Sequence, residues 1–417
     1  MPKQILVVVD SIDVNDSSGS KANVALINNL AAIGSNLIVF HYTQKNIHIE
    51  GVKCIAIKEL KFTLFYFLSR IQRIIQRNLK LNFAKYFEPI FGFSFTFFND
   101  INSIKAVLKK QNVSNVAMVI TLSKGASFRP HYAVNKLPQL HKKWLAYIHD
   151  PYPFVCYPPP YDWKEPGYKQ KVAFFKNVSE NAQYAAFPSL LLKNWMGTYF
   201  ENFNKRGIVI PHQIIKSESK ALLLPNFFDI SKFNILHAGS LMKQRDSVGL
   251  IKGFQKFINN NPDAYKDSKL ILLGSADYHK SLIESYAERI PQLYINLSNI
   301  SFEEVLNLQK HVSINIILEA DAESSPFLPG KFPHCIEANK IILHLGPEKS
   351  ETRRLLGINY PFVAKINDVD AISKILQDLY CKWQESHENM TLNRPDLYNY
   401  LGTEYLKEQL ELALKND

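Results

Sequence analysis

Uninterrupted apolar runs alternate along this chain with segments of helical periodicity. Residues 5–9 form a mostly β-branched run, a polar stretch with Ser17-Ser18-Gly19-Ser20 follows, and residues 23–32 carry apolar side chains at helical spacing before a second run at 37–40. This order of strand, loop, helix and strand is typical of parallel sheets whose strands are buried on both faces. Further runs at 116–121 and 144–149 each end in polar residues. The first half is therefore predicted to be a doubly wound α/β domain.

A second series of the same kind begins near residue 234. The run 235–238 leads into Gly239-Ser240-Leu241, an amphipathic helix is predicted over 248–258, and strand-like runs recur at 269–274, 293–297, 313–318 and 341–345. Pro225 and Asn226 interrupt the pattern between the two series, as residues at a domain boundary do. We predict two Rossmann-like domains, 1–228 and 229–394. A C-terminal helix over 395–417 is predicted to follow, and packing back on the N-terminal domain is one option for it.

The size and charge of the chain agree with this division. With 417 residues, 46% of them hydrophobic and 21% charged, the chain is too long for one ordinary domain and too apolar for a disordered protein. Its net charge of +11 suggests an anionic partner. Residues 1–228 hold 28 basic and 13 acidic side chains, a net charge of +15, whereas residues 229–417 carry a net charge of −4. The basic excess lies entirely in the predicted first domain.

The spacing of the cysteines and the length of the apolar runs indicate where in the cell the protein is located. Cys54, Cys156, Cys335 and Cys381 lie far apart with no histidine cluster near them, which predicts a reduced protein with neither a disulfide framework nor a metal site. The apolar run 5–9 is too short for the core of a signal peptide, and no run approaches the roughly 18 residues of a membrane span. We therefore expect a cytoplasmic protein.

The segment 58–98 combines basic residues with many apolar ones. It contains seven basic and two acidic residues and ends in an aromatic run at 91–98. At 100° per residue, one helical face carries Leu64, Leu68, Ile71, Ile75 and Leu79, and the opposite face carries Arg70, Arg73, Arg77 and Lys80. Two interpretations are open: a helix packed on the sheet with a solvated basic back, or a surface whose four cations contact an anionic membrane.

Familiar phosphate-binding and catalytic motifs do not occur. No Gly-x-Gly-x-x-Gly follows either first strand, and neither a Walker-type loop, a Gly-x-Ser-x-Gly elbow nor a His-Glu-x-x-His pair occurs, which disfavours hydride transfer and phosphate-loop hydrolysis. Instead, Gly239 and Arg245 follow the first strand of the second domain, and Pro329-Gly330-Lys331 precede a helix predicted to start near Phe332. Cations at such positions can stabilise a departing diphosphate without a metal.

Four segments carry a resemblance over nearly the whole chain to the GT-B nucleotide-sugar glycosyltransferases, particularly those of family 4. They begin at Trp144 (Trp-Leu-Ala-Tyr-Ile-His-Asp-Pro-Tyr), Leu224 (Leu-Pro-Asn-Phe-Phe-Asp), Ile235 (Ile-Leu-His-Ala-Gly-Ser-Leu, then Arg245) and Ser325 (Ser-Pro-Phe-Leu-Pro-Gly-Lys). The last two are the most specific. The resemblance implies a GT-B fold, in which two doubly wound Rossmann-like domains face each other across a cleft.

The resemblance also implies roles for particular residues. Arg245 and Lys331 would hold the donor diphosphate, together with glycines in the adjoining loops. His149 and Asp150 would lie near the transferred sugar as the catalytic pair. Family members usually place a Glu three positions after the Lys to hold the nucleotide ribose. Here His334 occupies that position, and Glu337, one turn later on the same helical face, is the ribose contact that we expect. The glycines in these loops are Gly19, Gly239 and Gly330.

Each of these residues has a plainer alternative. Arg245 beside Asp246 is also compatible with a surface ion pair at a helix start. His149 is compatible with a hydrogen-bonded residue at a strand end, and Asp150 before Pro151 with a turn former. Glu337 is compatible with a solvated helix residue, and Lys331 with a solvated lysine in the turn after Pro329-Gly330.

The function expected from these features is sugar transfer from a UDP-type or GDP-type sugar to a glycan or lipid-linked acceptor. Family 4 implies metal-independent transfer with retention of anomeric configuration, in bacterial surface polysaccharide synthesis, without a further cofactor. The basic first domain favours peripheral attachment to the inner face of the cell membrane, and no nucleic-acid motif accompanies the charge. Two alternatives remain: a degenerate GT-B protein that acts as a non-catalytic partner at the membrane surface, and a sugar-nucleotide epimerase.

Overall fold

The computed structural model describes residues 4–79, 84–215, 223–298 and 300–415. The chain forms two compact units. The first consists of Met1–Tyr157, Asp162–Gln213 and Tyr400–Asp417, and the second of Pro158–Tyr161 and Ile214–Asn399. The units thus divide after Gln213, whereas the sequence pattern placed the domain boundary after residue 228.

A parallel seven-stranded sheet with the order β3-β2-β1-β4-β5-β6-β7 forms the first unit. Its strands are β1 (Gln4–Val9), β2 (Asn36–His41), β3 (Lys53–Ala56), β4 (Val116–Leu122), β5 (Trp144–Tyr147), β6 (Tyr184–Phe187) and β7 (Gly207–Val209). Its helices up to this point are α1 (Ser18–Ala32), α2 (Leu64–Leu79), α3 (Ala84–Phe91), α4 (Phe95–Leu108), α5 (Arg129–Asn135), α6 (Tyr168–Asn181), α7 (Leu190–Tyr199) and α8 (Asn202–Arg206).

Strand β1 shows why the sheet is buried on both faces. Leu6 and Val8 belong to the core on one side of the sheet, and Ile5, Val7 and Val9 belong to the core on the other. Successive side chains of a strand point to opposite faces, so an uninterrupted apolar run fits a strand covered on both sides.

The second unit repeats the plan with a parallel six-stranded sheet of order β10-β9-β8-β11-β13-β15 and a separate pair, β12 with β14. Its strands are β8 (Phe233–Ala238), β9 (Ser268–Leu273), β10 (Leu293–Asn296), β11 (Ile314–Leu318), β12 (Ser324–Ser325), β13 (Ile341–Leu345), β14 (Lys349–Ser350) and β15 (Val363–Ala364). Its helices are α9 (Val248–Asn259), α10 (Pro262–Asp267), α11 (Lys280–Ala287), α12 (Phe302–His311), α13 (Phe332–Ala338), α14 (Glu351–Leu356), α15 (Val369–Glu385) and α16 (Pro395–Tyr400).

The C-terminal segment contains two helices where the pattern predicted one. Helix α16 ends at Tyr400, and α17 (Thr403–Lys415) begins after a break that includes Gly402. Leu406, Leu410 and Ala413 of α17 lie in the first unit's core. The apolar periodicity correctly predicted helical structure in this segment. The helix is interrupted at Gly402, a residue with low helix propensity.

The segment 58–98 differs from its prediction in two ways. The basic helix is present as α2 and packs against α4, and Leu64 and Ile71 of the predicted apolar face are exposed. The aromatic run is split between the end of α3 and the start of α4, and Phe93 and Phe97 stack at 4.1 Å in the core. Much of this aromatic run is therefore structural.

The helix α17 offers a test of this architecture. Leu406 is fully buried whereas Leu412, in the same helix, is 54% exposed. We expect Leu406→Ala to lower the free energy of unfolding by about 3 kcal/mol, because the substitution removes buried side-chain carbons and leaves a cavity. Leu412→Ala is the matched control and should change it by less than about 0.5 kcal/mol. Urea unfolding measures both, and equal losses would contradict the packing of α17.

Candidate functional site

The carboxyl end of β8 carries the first cluster of candidate residues. In the second sheet, β8 lies between β9 and β11, so the direction in which successive strands are added reverses there. Parallel α/β sheets bind ligands at such a reversal, outside the carboxyl ends of the strands. Gly239 follows β8 directly and has a φ of +151°, a conformation that favours glycine.

Lys331 lies directly against this glycine. Its Nζ atom is 3.4 Å from Nδ1 of His237, the penultimate residue of β8. A Cβ atom built on Gly239 would lie only 2.9 Å from the same Nζ. The predicted pair Gly239 and Lys331 is thus brought together, and the absence of a side chain at 239 leaves room for the ammonium group.

The cluster is electrostatically unusual. Burial lowers the pKa of Lys331 to about 7, and the charge of Arg245 also lowers it, although Cys335 acts in the opposite direction. Burial, together with the charges of Lys331 and Arg245, holds the pKa of His237 well below its ordinary value. The imidazole is therefore neutral, and the positive charge of the cluster lies on Arg245 and, below about pH 7, on Lys331 as well.

No carboxylate compensates these two cations. Within the described ranges, neither Lys331 nor Arg245 has an Asp or Glu oxygen within 4.0 Å, and the Nε atom of Arg245 is buried without a hydrogen-bond partner. Asp246 instead accepts a hydrogen bond from the Val248 amide at 2.8 Å, at the start of α9. The alternative of an Arg245–Asp246 ion pair is therefore not what the structure contains. An anion is the ligand that such a pair of cations favours.

A buried carboxylate lies on the next strand. Glu319 follows β11 directly, is 2% exposed, and has Oε1 at 3.3 Å from Nε2 of the buried His344. It lines a small pocket with Arg245 and with Ser325, Phe327 and Pro329 of the segment before Lys331. The pocket thus has a cation and a carboxylate in its wall, a combination that suits a ligand with both phosphate and hydroxyl groups.

Helix α13 begins at Phe332, where the sequence predicted a helix start, and carries the expected ribose contacts. Gly330 precedes it, and no atom lies within 4 Å of a Cβ built there. The His334 ring packs edge-on against Phe302, with centroids 5.0 Å apart. Oε1 of Glu337 lies 3.3 Å from Nζ of Lys310. The ribose role of His334 and Glu337 stays a prediction.

His149 is the centre of a second cluster, in the first unit. It follows β5, is buried, and has Nε2 at 2.9 Å from Oδ1 of Asn23. The Asn23 amide donates to the carbonyl oxygens of Ser11 and Ser123, so its Oδ1 accepts and the imidazole Nε2 carries the proton. The remaining atom, Nδ1, has a lone pair and, among the described residues, no hydrogen-bond partner.

The surroundings of His149 keep it neutral. Burial, together with the neighbouring imidazoles of His212 and His131, holds its pKa well below the ordinary value, and its ring stacks on His212 at 5.7 Å. Asp150 follows it and is half-buried. A neutral imidazole with a free lone pair can accept a proton or a hydroxyl hydrogen bond.

Gly19 lies in a different place from the predicted loop. It belongs to the first turn of α1, and a Cβ atom there would lie 3.2 Å from the backbone nitrogen of Gly125. Its small size permits close contact between α1 and the loop after β4. Its diphosphate role stays a prediction.

Three polar residues at strand ends were missed in the sequence. Asp10 follows β1 directly; its carboxylate accepts from the Lys124 amide at 3.1 Å, bonds the Ser127 hydroxyl, and has its pKa raised by burial. His237 and Glu319 were missed as well. Each of the three is a polar residue within or just after an apolar run, and that pattern was the available signal.

The predicted membrane contacts are partly described. Arg70 bonds Glu59 at 2.9 Å, Arg73 donates weakly to Thr96, and Arg77 is exposed; Lys80 lies outside the described residues. Within those residues, no helix combines the length and apolarity that crossing a bilayer requires. No three His, Cys, Asp or Glu side chains of the described ranges converge as metal ligands do.

The whole chain is similar in fold to solved sugar-transferring enzymes. A UDP-forming α,α-trehalose-phosphate synthase from Burkholderia xenovorans, in complex with glucose-6-phosphate, matches with a TM-score of 0.64 at 8% identity, over 99% of this chain and 100% of that one. An E. coli trehalose-6-phosphate structure bound with UDP-2-fluoro glucose matches with a TM-score of 0.62 at 10% identity, over 99% of both chains. A glycosyltransferase from Rickettsia africae matches with a TM-score of 0.57 at 12% identity, over 100% of this chain and 97% of that one.

These identities are low, so the likeness establishes the fold. The predicted GT-B fold with two Rossmann-like domains is confirmed. No protein-family model and no curated protein matches the sequence.

The lowered pKa of Lys331 gives a pH prediction. With a folded-state pKa near 7, Lys331 is neutral between about pH 7 and pH 10 in the folded state but protonated in the unfolded state. The unfolded state then binds more protons, so stability rises with pH across this window, by up to about 1.4 kcal/mol per pH unit. Lys331→Met lacks this contribution.

Urea unfolding of the wild type and of Lys331→Met from pH 6 to pH 9 measures this pH dependence of stability. The stability of the wild type relative to Lys331→Met should rise by roughly 2 kcal/mol between pH 7 and pH 9. All other ionisable groups are present in both proteins, so their contributions to the pH dependence cancel when the two free energies of unfolding are subtracted. A pH-independent difference would contradict the lowered pKa of Lys331.

Proposed function

We propose that the protein is a glycosyltransferase that takes its sugar from a nucleotide-diphosphate sugar of the UDP or GDP type. The observation that carries the proposal is the pair Lys331 and Arg245, two neighbouring cations without a carboxylate within 4.0 Å in the described part of the chain. A diphosphate supplies the negative charge that these side chains lack. Their place at the carboxyl edge of a parallel sheet supports the same ligand.

The pair would act most strongly as the donor breaks. The bond between the anomeric carbon and the diphosphate oxygen is cleaved, and the negative charge of the leaving group grows on that oxygen. Cations held in fixed positions stabilise this charge without reorganising, which lowers the barrier more than it tightens binding of the intact donor. An anion beside Lys331 would also raise its pKa from about 7 and keep it charged.

Glu319 would contribute to recognition of the donor. It is buried in the wall of the pocket that Arg245 also lines. A carboxylate accepts hydrogen bonds and does not donate them when ionised, so hydroxyl groups of a sugar or ribose are its natural partners. His334 and Glu337 on α13 remain the proposed ribose contacts.

His149 and Asp150 are proposed to act on the acceptor side of the reaction. The free lone pair of His149 Nδ1 suits a hydrogen bond from the acceptor hydroxyl, which it would orient for attack. In the proposed mechanism of retention, the new bond forms between the acceptor oxygen and the anomeric carbon on the face that the diphosphate leaves. The acceptor proton passes to the leaving phosphate oxygen, so no metal or further cofactor takes part.

The finer assignment rests on the four sequence segments. They support a family 4-like enzyme that extends a glycan or lipid-linked acceptor in bacterial surface polysaccharide synthesis, at the inner face of the cell membrane. The structures similar in fold include a trehalose-phosphate synthase in complex with glucose-6-phosphate and an E. coli structure bound with UDP-2-fluoro glucose. A donor nucleotide sugar and a sugar-containing acceptor are thus compatible with this fold.

Nucleotide binding tests the proposal. A thermal-shift screen of UDP, GDP and their sugars should raise the unfolding temperature of the wild type for one base, because a ligand of the folded state stabilises it. Arg245→Ala and Lys331→Ala should each weaken binding about tenfold or more, the loss of one charge-assisted contact. Lys243→Ala removes an exposed cation two residues from Arg245 and serves as the matched control.

The outcomes separate the candidate functions. Saturable binding that is lost in both variants, with sugar transfer by the wild type, supports the proposal. No nucleotide binding would favour the degenerate protein, and an isomerised sugar in the recovered donor would favour the epimerase. Unchanged affinity in both variants would overturn the assignment of the diphosphate site.

His149 gives a second prediction within this function. His149→Ala should lower kcat about a hundredfold while nucleotide affinity changes little, because the residue is proposed to orient the acceptor. His48→Ala, at an exposed histidine of the same unit, is the control. Steady-state transfer and nucleotide titration of each variant measure the two quantities. An equal loss of nucleotide affinity would place His149 in donor binding instead.

A further inference from the structure

Helix α2 exposes an apolar stripe. Leu64, Phe67, Ile71 and Ile74 are each more than half exposed, and their spacing of three, four and three residues places them on one face. Phe62, just before the helix, is 93% exposed. A surface helix normally turns such a stripe toward the core. In α2 it faces away from the protein.

The packing of α2 explains this orientation. The helix contacts α4 through a different side: the Phe65 ring lies 5.3 Å from Phe98, and Ser69 is buried. Leu68 and Ile75, which belong to the predicted apolar face, are only half-buried. The fold thus uses a narrow, partly polar side of α2 for packing and leaves its most apolar face uncovered.

Helix α3 extends the same surface. The rings of Phe87 and Phe91 lie 5.4 and 5.9 Å from Phe95, and the Phe65 ring of α2 lies 6.4 Å from the same ring. The two helices therefore meet on Phe95. Of the α3 side chains, Tyr86 and Ile90 are both 68% exposed, and Phe91 is 48% exposed.

Positive charge accompanies this apolar surface. Arg73 and Arg77 are exposed on α2, on the turns that also carry Ile71 and Ile74. The two acidic residues of segment 58–98 already face cations: Glu59 bonds Arg70 at 2.9 Å, and Glu88 lies 3.5 Å from Lys171. No unpaired acid of this segment offsets the arginines.

We propose that the exposed face of α2 and α3 is a docking surface for an anionic lipid bilayer. The docking surface consists of Leu64, Phe67, Ile71 and Ile74 with Tyr86, Ile90 and Phe91, flanked by Arg73 and Arg77. Its apolar side chains enter the boundary between headgroups and acyl chains, and the arginines contact lipid phosphates. A helix with one apolar and one basic face binds in the plane of a membrane in this way.

Charge is the argument for lipid over a second copy of the chain. Two copies meeting through this face would bring like-charged arginines together, whereas an anionic bilayer is attracted by them. The surface lies within the first 228 residues, which hold 28 basic and 13 acidic side chains. Each exposed cation near an anionic surface strengthens binding about fivefold.

The inference deepens the proposed function, because a membrane-bound enzyme would meet a lipid-linked acceptor at its source. Lipid binding is measured without any sugar, so its failure and the failure of the transferase proposal are distinguishable. A protein that binds vesicles but transfers no sugar would be a membrane-surface protein. An enzyme that transfers sugar but does not bind vesicles would use a water-soluble acceptor.

Vesicle co-sedimentation of the full-length protein tests the inference. Wild type should bind vesicles of phosphatidylcholine mixed with phosphatidylglycerol and bind phosphatidylcholine alone much more weakly, and added salt should weaken the binding. Ile71→Glu should reduce the partition coefficient at least about tenfold, since it places a carboxylate in the apolar face. Ile358→Glu makes the same change at an 89% exposed isoleucine of the second unit and should have no effect.

A charge pair completes the test. Arg73→Gln with Arg77→Gln should weaken binding to the anionic vesicles about 25-fold. The control, Lys252→Gln with Lys407→Gln, removes two exposed cations from α9 and α17 and should leave binding unchanged. Circular dichroism and unfolding temperature establish that each variant is folded. Equal binding by wild type and Ile71→Glu, or a wild-type dimer that Ile71→Glu dissociates, would overturn the proposal.

Discussion

Both sheets are parallel and covered on both faces, and this constraint determines where polar chemistry can be located. A strand buried on both sides has no face that water reaches, so a polar side chain within it must find a partner inside the protein. The ends of the strands lack this restriction. Asp10, His149, Gly239 and Glu319 all follow strands directly or within two residues. The candidate clusters are consequences of the sheet architecture, and the residue types at these positions provide their chemistry.

Net charge and local charge differ in this molecule. Residues 229–417 have a net charge of −4, yet they contain Lys331 and Arg245, neither of which has a carboxylate oxygen within 4.0 Å among the described residues. The first 228 residues have a net charge of +15, yet the candidate site residue in that part of the chain, His149, carries no charge, because its pKa is held well below the ordinary value. Whole-chain charge therefore describes attraction to large surfaces, whereas binding of a small anion depends on a few buried groups.

The sequence predicted helices and strands correctly where the local pattern of residues alone determines them. The apolar run 341–345 coincides with β13, and the helix start at Phe332 was also correct, because Pro and Gly before it and apolar residues after it agree. The orientation of α2 could not be predicted from its own periodicity. Which face packs depends on Phe95 and Phe98 of α4, residues that the helical wheel of α2 does not contain. For the same reason, contacts such as His149 with Asn23 require the fold.

The position of α17 has a consequence for synthesis. Its side chains Leu406 and Leu410 belong to the core of the first unit, but Ile214–Asn399 of the second unit precede them in the chain. On a ribosome, the second unit is therefore fully emerged before the first can close its core against α17. Until then, the part of α1 that packs against α17 stays uncovered, which exposes apolar area to aggregation or to chaperones. The unit that begins first is the one completed last.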